Sequence, residues 1–376
     1  CRVNPLPLRL PRGLYRSMGT SILSFGTAVP PARLRQSDIR DLLVAQPGVD
    51  RLTARLIGAA FDQSAIETRH SVIGEAGRRS PVFADARDLL RSPTTGERNE
   101  VYRREAPPLS AAAARDAIAR SGYAAEEITH VITASCTGFF APGPDFLLVK
   151  ELGIPRTAER YHLGFMGCAA AFPALRAAKR FGDARPGAVV LAVCAELCSI
   201  HVRPSRDPEQ IVASAVFADG AGAAIVSSAE PRTDRAVLEI GEFTTAVTDE
   251  GEEDMDWTIG DRGFEMRLTA GVPRIIGREI AGAVGAMLGP GADPCTGVDA
   301  WAVHPGGRSV LDRVQSGLDL PDAAMHHSRA VLRDYGNMSS ATILFILQRI
   351  LADDSLGDGA RVAGLCFGPG LTVETA

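Results

Sequence analysis

The sequence has no uninterrupted apolar run long enough to cross a lipid bilayer. Its longest apolar stretch, residues 187–200, contains Glu196 and falls short of the roughly 20 apolar residues that a transmembrane helix needs. The segment before residue 17 carries arginines and prolines without an apolar centre, which is unlike a secretory signal. These absences predict a protein without a membrane span and favour the cytoplasm.

Cysteines are few and scattered, and neither sign of charge is in large excess. The seven cysteines, an odd number, do not form the dense framework of a small secreted protein. The formal net charge is −5 and the basic residues do not cluster, so no nucleic-acid or anionic-lipid partner is expected. Cys194, Cys198 and His201 have a spacing that could hold zinc, but no fourth ligand lies nearby, so no metal site is predicted.

The remaining composition is that of a globular α/β protein. The 376 residues are 45% hydrophobic and 23% charged, enough for two or three domains or one large duplicated unit. From Thr20 onward, strand-like and helix-like segments alternate, which favours an α/β architecture with mostly parallel sheets. Residues 75–108 are expected to be surface structure with a short helix at 83–90, and Asp219 and Gly220 are expected to form a turn. The predicted strands are 21–27, 130–135, 188–195 and 298–304; the predicted helices include 37–43, 49–61, 110–121, 169–181, 271–288 and 338–351.

Cys168 lies where a glycine turn leads into a predicted helix, in the segment Phe-Met-Gly-Cys-Ala-Ala-Ala (165–171). This position would expose the sulfur at a helix N-terminus, whose partial positive charge favours thiolate over thiol. A cysteine packed in the core beside alanines is the alternative, because free cysteine is among the most buried residue types. The motif alone leaves both open.

His304 and Asn337 are two further candidates for a chemical role. His304 ends an apolar strand and is followed by Pro-Gly-Gly (305–307), and side chains at such strand ends often project into a site. A single histidine is nevertheless more often structural. Asn337 precedes a predicted helix, where asparagine is also a preferred N-cap. Neither residue alone decides the function.

Together, Cys168, His304, Asn337 and their neighbours resemble the chalcone synthase-like, or type III polyketide synthase, family, and specifically a bacterial type. The resemblance covers residues 20–376 and rests on His-Pro-Gly-Gly (304–307), Gly-Asn-Met-Ser-Ser (336–340) and Phe-Gly-Pro-Gly-Leu-Thr-Val-Glu (367–374). It implies a thiolase-like duplicated five-layer αβαβα fold. The implied divisions are an extension at 1–19, an N-terminal half at 20–240 and a C-terminal half at 241–376.

The resemblance also implies a reaction. Cys168 would carry the acyl chain, and His304 and Asn337 would stabilise the enolate formed when malonyl-CoA loses CO2. Repeated condensation onto an acyl-CoA starter, followed by cyclisation, would give a pyrone, a resorcinol or a related product. Cysteine suits this role because its acyl product remains an activated thioester, and donors aimed at the enolate oxygen lower the barrier. The family implies a homodimer and no cofactor other than CoA thioester substrates.

The substrate-binding residues are carried over by the same resemblance. Phe217 corresponds to a gatekeeping phenylalanine between the CoA tunnel and the cavity, and Phe264 to a second cavity phenylalanine. Cys136, Cys198 and His201 stand where plant enzymes have threonines, which predicts a product other than a chalcone and a cavity that accepts aliphatic acyl groups. The other expected substrate contacts are Ser339, Gly306, Gly307 and Arg69, the last being the chief basic residue left near the CoA phosphates.

Two other functions remain open from the sequence. A ketoacyl synthase that initiates fatty-acid synthesis shares the fold and the Cys, His and Asn residue types, and differs in taking its extender from acyl carrier protein. A noncatalytic lipid-binding or scaffold protein could retain the fold without the chemistry.

Overall fold

The computed structural model describes residues 19–74 and 81–376. Most of the predicted extension at 1–19 therefore lies outside the described residues. The strands are β1 Ser21–Ala28, β2 Ala32–Arg35, β3 Thr68–Ser71, β4 His130–Ser135, β5 Glu159–Gly164, β6 Val189–Leu197, β7 Asp219–Ser227, β8 Leu238–Glu239, β9 Thr244–Val247, β10 Met255–Gly260, β11 Gly263–Leu268, β12 Ala300–Val303, β13 Val362–Gly368 and β14 Thr372–Thr375. The helices are α1 Gln36–Val44, α2 Arg51–Asp62, α3 Thr95–Ser121, α4 Pro144–Leu152, α5 Ala171–Ala184, α6 Pro208–Val216, α7 Gly271–Leu288, α8 Pro294–Gly297, α9 Arg308–Gly317, α10 His326–Tyr335 and α11 Thr342–Leu351.

Two mixed sheets organise the described chain. The larger sheet has the strand order β5-β4-β6-β7-β1-β8, and the smaller has the order β12-β13-β14-β9. Only the pairs β4/β5, β4/β6 and β12/β13 are parallel, while the other pairs of these two sheets are antiparallel. The α/β class is thus confirmed, but the expectation of mostly parallel sheets is wrong. Local alternation of elements cannot reveal strand direction, because direction depends on where each connection returns.

Strand β6 shows why the larger sheet is buried on both faces. Val189, Leu191 and Val193 point to one cluster of side chains, whereas Val190 and Ala192 point to another, as the period of two in a strand requires. Helix α3 packs on the first face, and α5 and α11 pack on the second. Helix α11 also contacts β12 of the smaller sheet, so helices separate the two sheets.

Helix α3 is the largest local departure from the sequence prediction. It begins at Thr95 instead of residue 110, and it continues through Pro107 and Pro108. Thr94 caps its start, and Glu97 completes a capping box, a signal that the sequence carried at Thr-x-x-Glu. Proline inside a helix costs roughly 3 kcal/mol, so packing against the sheet must stabilise this helix. Residues 83–90 form no helix: Ala84 pairs with Leu90 in an isolated bridge.

Several other boundaries differ from their predictions. Strand β7 begins at Asp219, which pairs with Leu197, so the predicted turn at Asp219 and Gly220 is wrong. The helix predicted from residue 338 begins at Thr342, after a 3-10 turn. The predicted strand 130–135 and helix 271–288 are confirmed. Among the described residues, no helix is long and apolar enough to cross a membrane.

Candidate active site

Cys168 lies in a 3-10 turn, Gly167–Ala169, between β5 and α5. The turn is tight because Gly167 adopts a left-handed φ of 64°, which glycine accepts without strain. Helix α5 begins only at Ala171, and the Cys168 side chain is buried, with 2% of the residue exposed. The expected exposure of the sulfur is therefore wrong, although the turn does lead directly into the N-terminus of α5. The buried alternative describes its environment.

Burial also reverses the expected charge state of this thiol. It raises the pKa of Cys168 to about 11, although hydrogen bonding by Ser339 and Asn337 favours the thiolate and partly offsets the loss of water. A thiolate removed from water is costly unless it is paired. At neutral pH the unliganded site thus holds a protonated thiol. The sequence motif indicated a thiolate because it revealed the nearby helix but not the depth of burial.

Asn337 follows α10 and is held by the main chain of the neighbouring segment. Its N–H donates to the Val216 carbonyl at 2.9 Å, and its carbonyl accepts from the N–H of Ala218 at 2.8 Å. The Asn337 side-chain oxygen accepts from the N–H of Ser339 at 2.8 Å. Besides its hydrogen bond toward the Cys168 sulfur, its amide nitrogen makes a long contact of 3.4 Å to the Gly306 carbonyl. Asn337 does not cap α11, which begins five residues later, and its amide N–H groups point to the sulfur and to this weakly held position, where a ligand can compete for them.

His304 stands immediately after β12, and its main-chain N–H donates to the Leu365 carbonyl at 2.8 Å. Only 1% of the residue is exposed, and neither ring nitrogen has a hydrogen-bond partner among the described residues. Burial lowers the pKa of His304 to about 3, so the imidazole is neutral at physiological pH. Burying a ring whose two nitrogens lack hydrogen-bond partners destabilises the fold, and a ligand in the cavity would supply those hydrogen bonds.

One cavity of about 580 Å³ brings the three candidates together. Cys168, His304 and Asn337 all line it. A volume of this size is typical of a site for a small-molecule ligand. Of the predicted substrate contacts, Phe217, Gly306 and Gly307 line the same cavity.

Two further predicted cavity residues, Phe264 and His201, lie with Phe217 and Trp257 in a group that we call the aromatic cluster; its members are buried except Trp257, which is half-buried. Phe264 stacks on His201 with ring centroids 4.2 Å apart, and Trp257 lies edge-on to Phe264 at 6.0 Å. The Trp257 indole N–H donates to the Cys136 carbonyl at 2.6 Å. Phe264 and His201 do not line the 580 Å³ cavity, and neither do Cys136, Cys198 and Ser339. Their contact with substrate remains a prediction, and Trp257 was missed by the sequence reasoning.

Arg69 is not at the mouth of the cavity. It is buried, with 3% exposed, and its guanidinium donates to the carbonyls of Ser214 and Phe217 at 2.7 and 2.6 Å. It does not line the cavity of Cys168. The expectation that Arg69 contacts CoA phosphates is therefore not supported by its position, because these bonds direct it to the main chain behind Phe217.

Glu196 is a buried polar residue near the site that the sequence showed only as an interruption of an apolar stretch. Its carboxylate accepts hydrogen bonds from the Cys136 N–H at 2.9 Å, the Thr137 hydroxyl at 2.9 Å and the Ser340 hydroxyl at 2.5 Å. It thereby ties the loop after β4 to the turn that follows Asn337. Burial raises the pKa of Glu196. A charged residue within a fully buried strand was the signal for such a role.

The zinc alternative at Cys194, Cys198 and His201 is contradicted by the hydrogen bonds of the histidine. One His201 ring nitrogen contacts the Thr137 carbonyl at 2.7 Å, and the other accepts from the Phe264 N–H at 3.0 Å. Both ligand positions are thus occupied. Among the described residues, the only group with a geometry that could hold a metal is His326, His327 and Asp353, and none of these lines the cavity.

Comparison with known proteins gives two family matches and close structural neighbours. Residues 13–231 match the family model "Chalcone and stilbene synthases, N-terminal domain", and residues 241–376 match "Chalcone and stilbene synthases, C-terminal domain". The C-terminal type III polyketide synthase domain of Steely1 from Dictyostelium is 27% identical, with a TM-score of 0.84, covering 95% of this chain and 98% of that one. PKS-I from the brown alga Ectocarpus siliculosus is 29% identical, with a TM-score of 0.87, covering 96% and 98%. The fold is accordingly thiolase-like, as the resemblance implied.

Proposed function

Because this chain belongs to the chalcone and stilbene synthase family and is a type III polyketide synthase, we propose that Cys168 carries an acyl chain that malonyl-CoA extends. The observation that carries the proposal is the convergence of Cys168, His304 and Asn337 on one cavity. The neutral His304 ring and the Asn337 amide have the hydrogen-bonding capacity that the chemistry needs.

The first step loads the starter. The sulfur of Cys168 attacks the thioester carbonyl of acyl-CoA, the thiol proton passes to a free nitrogen of His304, and CoA leaves as a thiol after taking a proton back. Because the buried Cys168 is a thiol at neutral pH, its proton must leave as the sulfur attacks, and an unpaired nitrogen of the neutral His304 ring is the acceptor that the cavity offers. A thioester forms and a thioester breaks, so the acyl group stays activated.

The second step extends the chain. The bond between the carboxylate carbon and the methylene carbon of malonyl-CoA breaks, CO2 leaves, and the electron pair forms an enolate on the remaining thioester. N–H groups of His304 and Asn337 donate to the enolate oxygen, and donors fixed in a site without water stabilise such a charge strongly. The enolate carbon attacks the acyl-Cys168 carbonyl, and the sulfur of Cys168 leaves. Loss of CO2 generates the nucleophile, so no strong base is required.

The starter and the product belong to the same proposal. The position of Phe217 on the cavity and within the aromatic cluster supports its role as a gate between the CoA site and the growing chain. Cys136, Cys198, His201 and Phe264 would then limit chain length and folding, with Trp257 as an additional determinant. With these residues around the chain, the proposed starter is aliphatic and the proposed product is a pyrone, a resorcinol or a related polyketide. The reaction needs no cofactor beyond the CoA thioesters.

We further propose that the protein is a homodimer with two thiolase-like halves that meet at residues 240–241. Sedimentation at micromolar concentration tests the assembly directly, because a stable monomer would contradict it.

Mass spectrometry of products from malonyl-CoA and starters of graded chain length tests the function. Polyketide products that depend on Cys168 are expected. Failure with CoA thioesters, together with extension from malonyl-acyl carrier protein, would instead favour the fatty-acid initiation enzyme. Failure of Cys168 to react with any acyl thioester would favour a noncatalytic protein.

A further inference from the structure

The cavity that holds Cys168 carries its charges on one wall. Apart from Cys168 and His304, its lining contains four ionisable side chains: Arg274, Arg308, Arg313 and Asp312. The negative charge of Asp312 is already neutralised by two arginines. Its carboxylate lies 3.5 Å from Arg308 and 2.7 Å from Arg329, which does not line the cavity. The lining therefore has an excess of positive charge, although the formal net charge of the chain is −5.

The fold adds to the positive potential of this wall. Arg274 lies in the first turn of α7, and Arg308 is the first residue of α9, a helix that packs against α7. The N-caps of these two helices, Ala270 and Gly307, line the cavity, and neither is satisfied by a side-chain cap. The N-terminus of a helix carries roughly half a positive charge and unpaired N–H groups, which favour anions. Two helices and three arginines thus converge on the same side.

The part of the lining that α2 contributes has the opposite character. It is formed by Ala60 near the end of α2 and by Gln63 and Ser64, which follow that helix, and none of these is charged. The C-terminal end of a helix carries a partial negative charge. A ligand anion entering the cavity is accordingly attracted to α7 and α9 and not to α2.

The arginines are available for such a ligand. Arg274, Arg308 and Arg313 are all exposed. Within the part of the chain that the structure describes, neither Arg274 nor Arg313 forms an ion pair with a carboxylate. At the buried end of the same cavity, both nitrogens of His304 are also without a hydrogen-bond partner among the described residues. The cavity thus offers cationic groups at its surface end and polar groups at its reactive end.

We propose that Arg274, Arg308 and Arg313 bind the phosphate groups of the CoA thioesters, an inference that rests on the function proposed above. Arginine matches phosphate oxygens with paired N–H donors, and all three arginines are exposed, as contact with a nucleotide outside the cavity requires. The pantetheine arm then runs past Gly306 and Gly307 to place the thioester beside His304 and Cys168. In this protein the phosphate contacts are on α7 and α9, whereas the one arginine of the segment 63–70, Arg69, is buried against main-chain carbonyls.

Steady-state kinetics of Arg274→Gln, Arg308→Gln and Arg313→Gln test this proposal. With malonyl-CoA, each variant should show a KM raised about tenfold or more with kcat nearly unchanged, because the lost hydrogen bonds to charged phosphates lie far from the reacting carbon. With malonyl-N-acetylcysteamine, which has the thioester but no phosphate, the variants should match the unaltered protein. Arg278→Gln is the matched control: it lies on α7, is exposed and does not line the cavity, and its KM for malonyl-CoA should not change.

The outcomes separate this inference from the proposed function. If the unaltered protein is active and all three variants keep its KM for malonyl-CoA, the arginine assignment is wrong while the function stands. If the unaltered protein uses neither malonyl-CoA nor malonyl-N-acetylcysteamine, the proposed function itself fails. If the variants lose activity only with malonyl-acyl carrier protein, the phosphate on the carrier is the ligand and the CoA assignment is overturned.

Discussion

A side chain on Gly167 would collide with Pro369, because a Cβ atom built there lies 2.2 Å from the Pro369 Cδ. The turn that holds Cys168 therefore packs directly on the C-terminal Phe-Gly-Pro-Gly loop. Two segments that are about 200 residues apart in the sequence thus meet beside the nucleophile, where the Pro369 ring packs on the main chain of Gly167. The family motif at residues 367–370 thus has a physical purpose in the site even though it supplies no reacting group.

Gly167→Ala should lose acylation of Cys168. The left-handed φ of 64° costs a non-glycine residue about 1 kcal/mol, and the clash with Pro369 must in addition displace the turn. Gly187→Ala is the matched control, since Gly187 has a φ of 80° but no atom within 4 Å of the position that a Cβ would take. Both variants should lose stability in urea unfolding through the left-handed φ, Gly167→Ala more because of the clash, but intact-protein mass spectrometry should show that only Gly167→Ala fails to acylate. Normal acylation of Gly167→Ala would show that the packing is not needed.

Cys168→Ala should abolish covalent acylation and every polyketide product. Malonyl-CoA should still decarboxylate slowly to acetyl-CoA, because His304 and Asn337 remain to stabilise the enolate. Intact-protein mass spectrometry and an acetyl-CoA assay measure the two activities side by side. Cys295→Ala, which removes an exposed thiol, should leave both unchanged. Polyketide formation by Cys168→Ala would overturn the nucleophile assignment and direct attention to Cys136 or Cys198.

Asn337→Ala should still acquire the starter on Cys168 but should extend it about 10²–10³ times more slowly, because one donor to the enolate oxygen is lost. The structure gives a sharper comparison, since the Asn337 oxygen also accepts from the Ser339 N–H. Asn337→Asp keeps that acceptor and removes the amide donor. Single-turnover extension should therefore be slow in both variants. Near-normal extension by Asn337→Asp would mean that the turn, and not the amide N–H, is what matters.

His304→Ala should impair both activities, because it removes the group that accepts the Cys168 proton and also a donor to the enolate. Loading and malonyl-CoA decarboxylation should each fall, in contrast to Cys168→Ala, which loses only the first. The same pair of assays measures this difference. Unimpaired decarboxylation by His304→Ala would assign the enolate to Asn337 alone.

The stability of the protein should depend on His304 in mildly acidic solution. Its pKa is about 3 in the folded protein, against 6.5 for the free side chain, so between these values the unfolded chain binds a proton that the folded chain does not. The free energy of unfolding therefore falls as the pH drops below 6.5, by roughly 2 kcal/mol for this residue between pH 7 and pH 5. His304→Gln should lose that much less over the same interval in urea unfolding. His201, whose pKa burial also lowers to about 3, contributes in both proteins and cancels in the comparison. If the free energy of unfolding depended on pH identically in the two proteins, the claim that the folded protein holds His304 as a neutral imidazole would be wrong.

The sequence by itself determined the family and the identities of the three candidate residues. Cys168, His304 and Asn337 each lie in a short motif whose residue types are set by local backbone needs, such as the glycine before the cysteine. Strongly periodic segments, including the helix at 271–288, were also predictable, because their core-facing pattern is local. The capping box at Thr94 and Glu97 marks the start of α3 in the sequence. The prediction nevertheless placed the start at residue 110, because Pro107 and Pro108 are unfavourable inside a helix.

Only the tertiary structure decided the environment of these residues. Whether Cys168 is a thiol or a thiolate depends on how much water surrounds it, and burial raised its pKa where the motif indicated the reverse. The same holds for Arg69, which the chain directs to buried carbonyls, and for the arginines of α7 and α9, which come together from separate segments. Burial and the meeting of distant charges depend on how layers pack, and no local pattern of residues encodes that geometry.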